Sequence, residues 1–583
     1  RNTDIHGISF HKTSEEIKLV LFADDATFCL KDVQSLVKSL EILEQFKKYS
    51  SLKLNLEKSE VGWIGPPRNE TLLPADIKKK IDLHCEGIKI LGIYFSHNKE
   101  FLRNNNFDRV FEKFKSTLNI WRMRNLTLFG KAVVVRSLAI SQLLYVFSKT
   151  SFPHSYVKKV KDEILKFLWN GKKSKVKYTT LIGEFNQGGI RLPDFESIIK
   201  ANRASWAIKL MNTMDGYWKS FAKMHFHSIG GINILGENFD SSILTTLHNF
   251  PKFYTEILEG WTEVSSTIVL SVDDILRQPI WFNKYIKLNT DVAMIRKLIE
   301  KGIKLIHHVW EQGNLPNWNS IKIKGWMDSE YLIWRSIIDA IPAEWRVQLK
   351  LGIDQSSNLD ISVKYMEISN KLTPVNKVNA KMIYWKLTKR KFKKATSQRS
   401  IAEKLGETDI EWSSVYSRIY QSTIDTKLRA FQYKILNNCL YLNQKLFLFK
   451  LVESPNCTFC FHHIESIEHF FLECLETRNF YIKCRIWLKS LHVNLPDLNF
   501  KNVLLGYDGN NFEIFLFLLF KFNLYNSRIK GKCPILSDFQ STVKNYEKLE
   551  YVIAVKKSRL TSHLKKYEKI RTILETTDLS PNK

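Results

Sequence analysis

The stretch Lys18-Leu19-Val20-Leu21-Phe22-Ala23-Asp24-Asp25-Ala26-Thr27-Phe28-Cys29-Leu30 places two adjacent carboxylates between two apolar runs. The runs are rich in β-branched and aromatic residues. This pattern predicts a tight β-hairpin with an acidic tip. Packing accounts for the apolar side chains of the strands. It does not account for two like charges side by side, which repel unless a divalent cation joins them. Two readings of Asp24 and Asp25 follow: a solvated acidic turn, or a pair of metal-binding carboxylates.

Downstream of the hairpin, Asp32 is placed to cap a helix. Val33, Leu36, Val37, Leu40, Leu43 and Phe46 supply its 3.6-residue apolar period. Ser51-Leu52-Lys53-Leu54-Asn55-Leu56-Glu57-Lys58-Ser59 alternates like a strand, and Ile88-Lys89-Ile90-Leu91-Gly92-Ile93-Tyr94-Phe95 reads as another. Each piece alone is a common amphipathic element. Their order and spacing resemble the reverse transcriptases of non-LTR retrotransposons of the long interspersed element type. Phe22-Ala23-Asp24-Asp25 is similar to the active-site hairpin of that family. The Leu-Lys-Leu-Asn segment with Lys58-Ser59 is similar to the segment after it. Ile88 to Phe95 is similar to the strand that grips the primer end.

The resemblance implies that Asp24 and Asp25 bind Mg or Mn. Two such metals align the primer 3′-hydroxyl and the incoming triphosphate for in-line attack. Lys58 either stabilises charge on the departing pyrophosphate or lies on the surface. In this family a third carboxylate lies well upstream, on another palm strand. Only 23 residues precede Asp24, and Asp4 is too close to serve. With Arg1 at the start, the chain is expected to be the C-terminal part of a larger reading frame, inactive alone.

The chain has 583 residues, 44% of them hydrophobic, and carries a net charge of +29. That length admits several domains. So large a basic excess implies a polyanionic partner, or else a lysine-rich background. The apolar run at 514–520 ends at Lys521 and is too short to span a bilayer. No membrane partner is expected. Between His154 and Tyr178 eight lysines face Asp162 and Glu163, with Phe167 and Trp169 interleaved. Lys172, Lys173, Lys175 and Lys177 are the candidate contacts to a nucleic-acid duplex; the alternative is a solvated face. Residues 377–399 hold seven lysines, two arginines and no acid. They form either a phosphate-tracking surface or a basic linker. A basic tail, with Lys556, Lys557, Arg559, Lys565, Lys566, Lys569 and Arg571, reads as a solvated helix.

A second constellation is Cys457-Thr458-Phe459-Cys460, followed by His469 and Cys474. Thiolate and imidazole are ligands that zinc prefers, and four of them close a tetrahedral structural site. His462 and His463 compete with His469. Three buried thiols without metal are the plain alternative. Cys439 and Cys484 read as packing residues. A retroviral knuckle places four residues between its second Cys and its His; here Glu465 occupies the position where that His would stand. The spacing is closer to the zinc-binding segment that follows non-LTR reverse transcriptases. Glu465-Ser466 resembles its middle element and Lys427 to Lys434 its lead-in helix. Arg124 to Lys131, Gly188 to Phe195 and Leu276 to Asn283 resemble further family segments. The second of these reads as scaffold, and the last carries no assigned role.

The expected fold is α+β: a partial right-hand palm with hairpin and helix, then mostly helix. Expected domains are the C-terminal part of the palm at 1–100, a helical thumb at 101–215, a helical connecting region at 216–410, a zinc-binding domain at 411–490 and a basic helical region at 491–583. The tryptophans of the connecting region read as packing aromatics. The function implied is that of an RNA-directed DNA polymerase fragment, working by target-primed synthesis in the complete protein. A non-enzymatic nucleic-acid-binding remnant is the alternative. Partners would be an RNA template and an RNA–DNA hybrid or target DNA. The clustered cysteines suggest a reducing compartment, nuclear or cytoplasmic.

Overall fold

The computed structural model describes residues 4–577, apart from 10–15, 65–73, 80, 85, 213–215, 230, 247–249, 311–316, 353, 355–362 and 369. The side chains of Lys569 and Arg571 also lie outside the described residues. The chain is mostly helical, and the described strands pair into five two-stranded sheets. An α+β class holds at that level. Chain contacts divide it into two compact units. The first comprises 1–117, 139–161 and 194–390, and the second 118–138, 162–193 and 391–583.

In the first unit, Leu19–Phe22 pairs antiparallel with Asp25–Phe28, Phe22 opposite Asp25. Ala23 and Asp24 are therefore the two-residue turn. Ala23 adopts a φ of 51°, as short hairpin turns demand. Asp32 caps the helix Val33–Ser50, its Oδ1 accepting from the Ser35 amide at 2.7 Å. The helix ends at Ser51, whose φ is 60°. The predicted strand after it is absent. Residues 51–55 have no regular partner, and Asn55 caps a single 3₁₀ turn, Leu56–Lys58. The predicted strand from Ile88 to Phe95 is folded on itself. Ile88–Ile90 pairs with Ile93–Phe95 across a Leu91-Gly92 turn. Both turn residues have positive φ, and the Tyr145 hydroxyl donates to the Leu91 carbonyl.

Phe107, Val110, Phe111 and Phe114 are buried, as their shared helical face predicts. Among the described residues one helical stretch, Leu128–Lys149, is long and apolar enough to cross a membrane; half of its most apolar window is buried inside the protein. Arg203, 1% exposed, seals the end of the helix Ile140–Lys149. It donates to the Phe147 and Ser148 carbonyls and to Glu256 at 2.8 Å. The connecting-region tryptophans are mostly core. Trp261, Trp281, Trp326 and Trp334 are buried, each indole N–H donating to a backbone carbonyl. Trp218 is the exception, 42% exposed against Trp206.

In the second unit, Lys131 donates to the Phe167 and Leu168 carbonyls, closing the end of the helix Ser155–Leu168. Gly189 admits no side chain, because a Cβ there would lie 2.0 Å from the Gly183 carbonyl oxygen. The Gly188-Gly189 segment is thus a scaffold turn. The main core of this unit gathers Leu428, Phe431, Phe470, Phe480, Phe515, Phe520 and Phe539. The helix Asn511–Ile529 runs through it and buries Lys521. That ammonium donates to Gln432 Oε1 at 2.6 Å and to the Val503 carbonyl at 3.0 Å. Burial pushes its pKa down to about 7. The folded state therefore holds fewer protons than the unfolded one between about pH 7 and 10, so stability rises with pH across that window. Thermal unfolding of Lys521→Met is expected to lose this rise. A midpoint–pH profile parallel to the parent's would show that Lys521 does not titrate there.

Candidate metal centre

The lead helix Thr426–Leu436 and the short helix Asn443–Leu448 precede a knuckle that begins at Asn456. The Cys457 amide donates to the His463 carbonyl at 2.7 Å, and the Phe461 amide to the Cys457 carbonyl at 2.9 Å. These two bonds turn the chain so that Cys457 and Cys460 face the same point. His469 starts a single wide turn that runs to Glu473, and Cys474 precedes the helix Leu475–Ser490. The ligand atoms of Cys457, Cys460, His469 and Cys474 all lie within 4.8 Å of one another. Cys457 Sγ and Cys474 Sγ are 3.8 Å apart, and Cys460 Sγ is 3.3 Å from His469 Nε2. Zinc–sulfur bonds of about 2.3 Å at tetrahedral angles put sulfurs about 3.8 Å apart. The donor set and its spacing fit a structural zinc.

Cys474 sits at a helix N-terminus. Its thiol is held below the usual range, first by the Cys457 thiol bonded to it and further by the Thr477 and Glu476 amides. A thiol so placed is disposed to ligate as thiolate. Glu473 Oε2 lies 3.8 Å from His469 Nδ1. The competing histidines are outside the group. His462 and His463 are exposed, and His463 Nδ1 stands 4.0 Å from Cys460 Sγ with its ring stacked on His469. Cys457, Phe459, Phe470, Phe471 and Cys474 belong to the unit's hydrophobic core, so the knuckle is built into the fold.

One carboxylate organises it. Glu465 is fully buried. Its Oε2 accepts from the Thr458 amide at 2.8 Å and hydroxyl at 2.7 Å. Its Oε1 accepts from the Asn443 amide at 2.8 Å and from Arg528 Nε at 2.5 Å. Arg528 also donates to Asn443 Oδ1 at 2.6 Å. Glu465 was visible in the sequence only as a motif letter. Arg528 and Asn443 carried no signal.

A family profile described as zinc-binding in reverse transcriptase matches residues 397–481, which hold all four ligand candidates. The chain is also 23% identical over 339 residues to the Transposon TX1 uncharacterized 149 kDa protein of Xenopus laevis. That match takes in 56% of this chain and 25% of the relative, so the chain spans about a quarter of that protein's length. The two matches support a relationship to the non-LTR retrotransposon reverse transcriptases. The knuckle lies inside the segment that is similar to the zinc-binding part of reverse transcriptases.

Asp24 and Asp25 are exposed, one in the hairpin turn and one opening the second strand. Among the described residues no third His, Cys, Asp or Glu completes a group with them. The strands carrying them are open: Leu21 is 67% and Phe22 64% exposed. Lys58 is exposed on its 3₁₀ turn. Lys172, Lys173, Lys175 and Lys177 are all exposed in the segment after the helix Ser155–Leu168. The basic segment 377–399 is partly structural. Lys386 donates to the Val264 and Glu367 carbonyls, and Arg390 to the Glu263 carbonyl. Two of its cations thereby close the helix Lys252–Val264, a favoured use of positive charge at a helix C-terminus.

Proposed function

We propose that this chain is a fragment of an RNA-directed DNA polymerase of a non-LTR retrotransposon. The observation that carries the reading is the zinc-binding segment, matched as a family and assembled as a three-thiol, one-imidazole group. Cys457, Cys460, His469 and Cys474 hold one structural zinc, which closes the knuckle and leaves no coordination position for chemistry. Asp24 and Asp25 supply two of the carboxylates that hold Mg or Mn in the complete polymerase. Those metals would activate the primer hydroxyl and neutralise the triphosphate. The open apolar hairpin suits a palm that further strands cover. Residues 1–100 are the palm part, 101–215 thumb, 216–410 connecting region, 411–490 zinc-binding domain and 491–583 a basic end region. The whole acts inside the cell, in nucleus and cytoplasm.

With two carboxylates and no third beside them, the chain alone is expected to extend no primer on an RNA template with Mg or Mn. Template-dependent incorporation that Asp24→Asn abolishes would contradict this. Binding is expected to survive without synthesis. The net charge of +29 supports capture of RNA and RNA–DNA hybrids with little sequence preference. About six phosphate contacts would lower affinity roughly a thousandfold between 50 and 200 mM salt. Affinity measured by fluorescence anisotropy that hardly responds to salt would refute the electrostatic part of the proposal.

A further inference from the structure

The turn that follows the lead helix Thr426–Leu436 carries Asn438, Cys439 and Tyr441. Two lysines from separate segments are held at it, and a third stands on the helix before it. Lys175, from the basic segment 172–177, places its Nζ 3.5 Å from the centre of the Tyr441 ring and 6.0 Å from that of Trp169. Lys445, on the short helix Asn443–Leu448, donates to the carbonyl and the side-chain oxygen of Asn438 at 2.6 and 2.5 Å. Lys434 lies one helical turn before, its carbonyl accepting from the Cys439 amide at 2.7 Å.

None of the three forms an ion pair with a carboxylate among the described residues. Glu468, whose charge acts on Lys445, is bonded to Lys404 at 2.7 Å. Burial lowers the pKa of both Lys434 and Lys445, and the Lys175 charge lowers each further. Like charges gathered without counter-charge oppose folding. Their repulsion is relieved when a polyanion supplies the missing charge. Exposed lysines elsewhere can turn away from one another. Here the contacts with Tyr441 and Asn438 hold Lys175 and Lys445 over one turn.

We propose that Lys175, Lys434 and Lys445, at and just before the turn that carries Tyr441 and Asn438, form a binding site for the phosphodiester backbone of a nucleic acid. The site rests on the nucleic-acid reading above and deepens it. It selects one lysine from the basic segment and joins it to two from the zinc-binding part of the chain, neither of which stood out in the sequence. Lys172, Lys173 and Lys177 become peripheral contacts. The knuckle is coupled to the site, because the Asn443 amide that opens the Lys445 helix is bonded to Glu465.

The test is anisotropy of a fluorescein-labelled RNA–DNA hybrid across a salt series, on the full chain. Lys175→Gln, Lys434→Gln and Lys445→Gln combined is compared with Lys172→Gln, Lys173→Gln and Lys177→Gln combined. Three lost phosphate contacts should reduce the slope of log affinity against log salt by about 2.7, and weaken binding roughly a hundredfold or more at 0.1 M salt. The peripheral triple should change the slope by about one at most. Arginine at 175, 434 and 445 should retain most of the parent slope, separating charge from misfolding. Steep binding by the parent with equal effects of the two glutamine triples would overturn the site and leave the nucleic-acid reading standing. A parent that does not bind the hybrid would remove that reading instead. Pyrophosphate is the arm for a free ligand. Saturable thermal stabilisation by pyrophosphate, lost in the first triple and unaccompanied by hybrid binding, would assign the cluster to a free phosphate and overturn the backbone site.

Discussion

Removing the zinc is expected to melt the second unit, and not merely to loosen one loop. Cys457 and Cys474 are each about 1% exposed and pack with Phe459, Phe470 and Phe471 in the main core of that unit. Without a cation the buried thiols at 3.8 Å take up protons, and the four metal bonds that tie the knuckle to the helix behind it are lost. Because such a site orders its own ligands, metal binding free energy becomes folding free energy. Chelation, or Cys457→Ser, should therefore lower the unfolding midpoint. A loss of about 3 kcal/mol corresponds to roughly 6–12 °C in a domain of 150–250 residues. Elemental analysis of the parent should return one zinc per chain, and Cys460→Ser or His469→Ala should return much less. Lys445 should lose its placement with the knuckle, so chelation should weaken hybrid binding as well. Metal-free protein with an unchanged midpoint would reduce the four residues to packing.

The second large effect is expected at Arg528, far from the ligands in sequence. Among the described residues its guanidinium is the only cation bonded to Glu465, a carboxylate with no exposure. Arg528→Met keeps the volume and removes the charge. The carboxylate would then keep three donors from Thr458 and Asn443 and face no positive charge. Breaking a buried pair by removing one partner costs about 3–5 kcal/mol. Glu465 holds Thr458, which lies between the first two cysteines, so the loss should reach the metal. Zinc affinity in chelator competition should fall about 10–100-fold, as for other residues that support metal ligands. Glu465→Gln with Arg528→Met combined should recover part of the stability, because no charge is left buried. Zinc affinity unchanged in Arg528→Met would confine the residue to packing.

Local chemistry was readable where a few neighbouring residues decide the conformation. The acidic turn at Ala23-Asp24 needs only flanking apolar strands. The cap at Asp32 needs one side-chain oxygen and one amide three residues on. The cysteine and histidine spacing needs a tight turn and one helical turn. All of these are set within 18 residues or fewer, and each formed. The segment 51–59 misled because alternation is only half of a strand. A strand also needs a hydrogen-bonding neighbour, and here the left-handed Ser51 and the Asn55 cap turn the chain before one is reached. Between Ile88 and Phe95 a strand-like run concealed its own turn, because Leu91 takes a positive φ that leucine rarely adopts.

The sequence by itself determined that this chain carries a zinc-type donor set, an acidic hairpin and a large positive charge, because composition and short-range spacing are local properties. Tertiary structure decided which of those groups act together. It paired Glu465 with Arg528 across 63 positions. It committed Lys131, Arg203, Lys386 and Arg390 to closing helix ends, and it brought Lys175 and Lys445 to one turn. A lysine's charge is written in the chain, but its partner is whatever the packed core leaves within reach. In a chain this basic, the same residue type closes a helix when buried against carbonyls and is open to a phosphate when no carboxylate stands nearby.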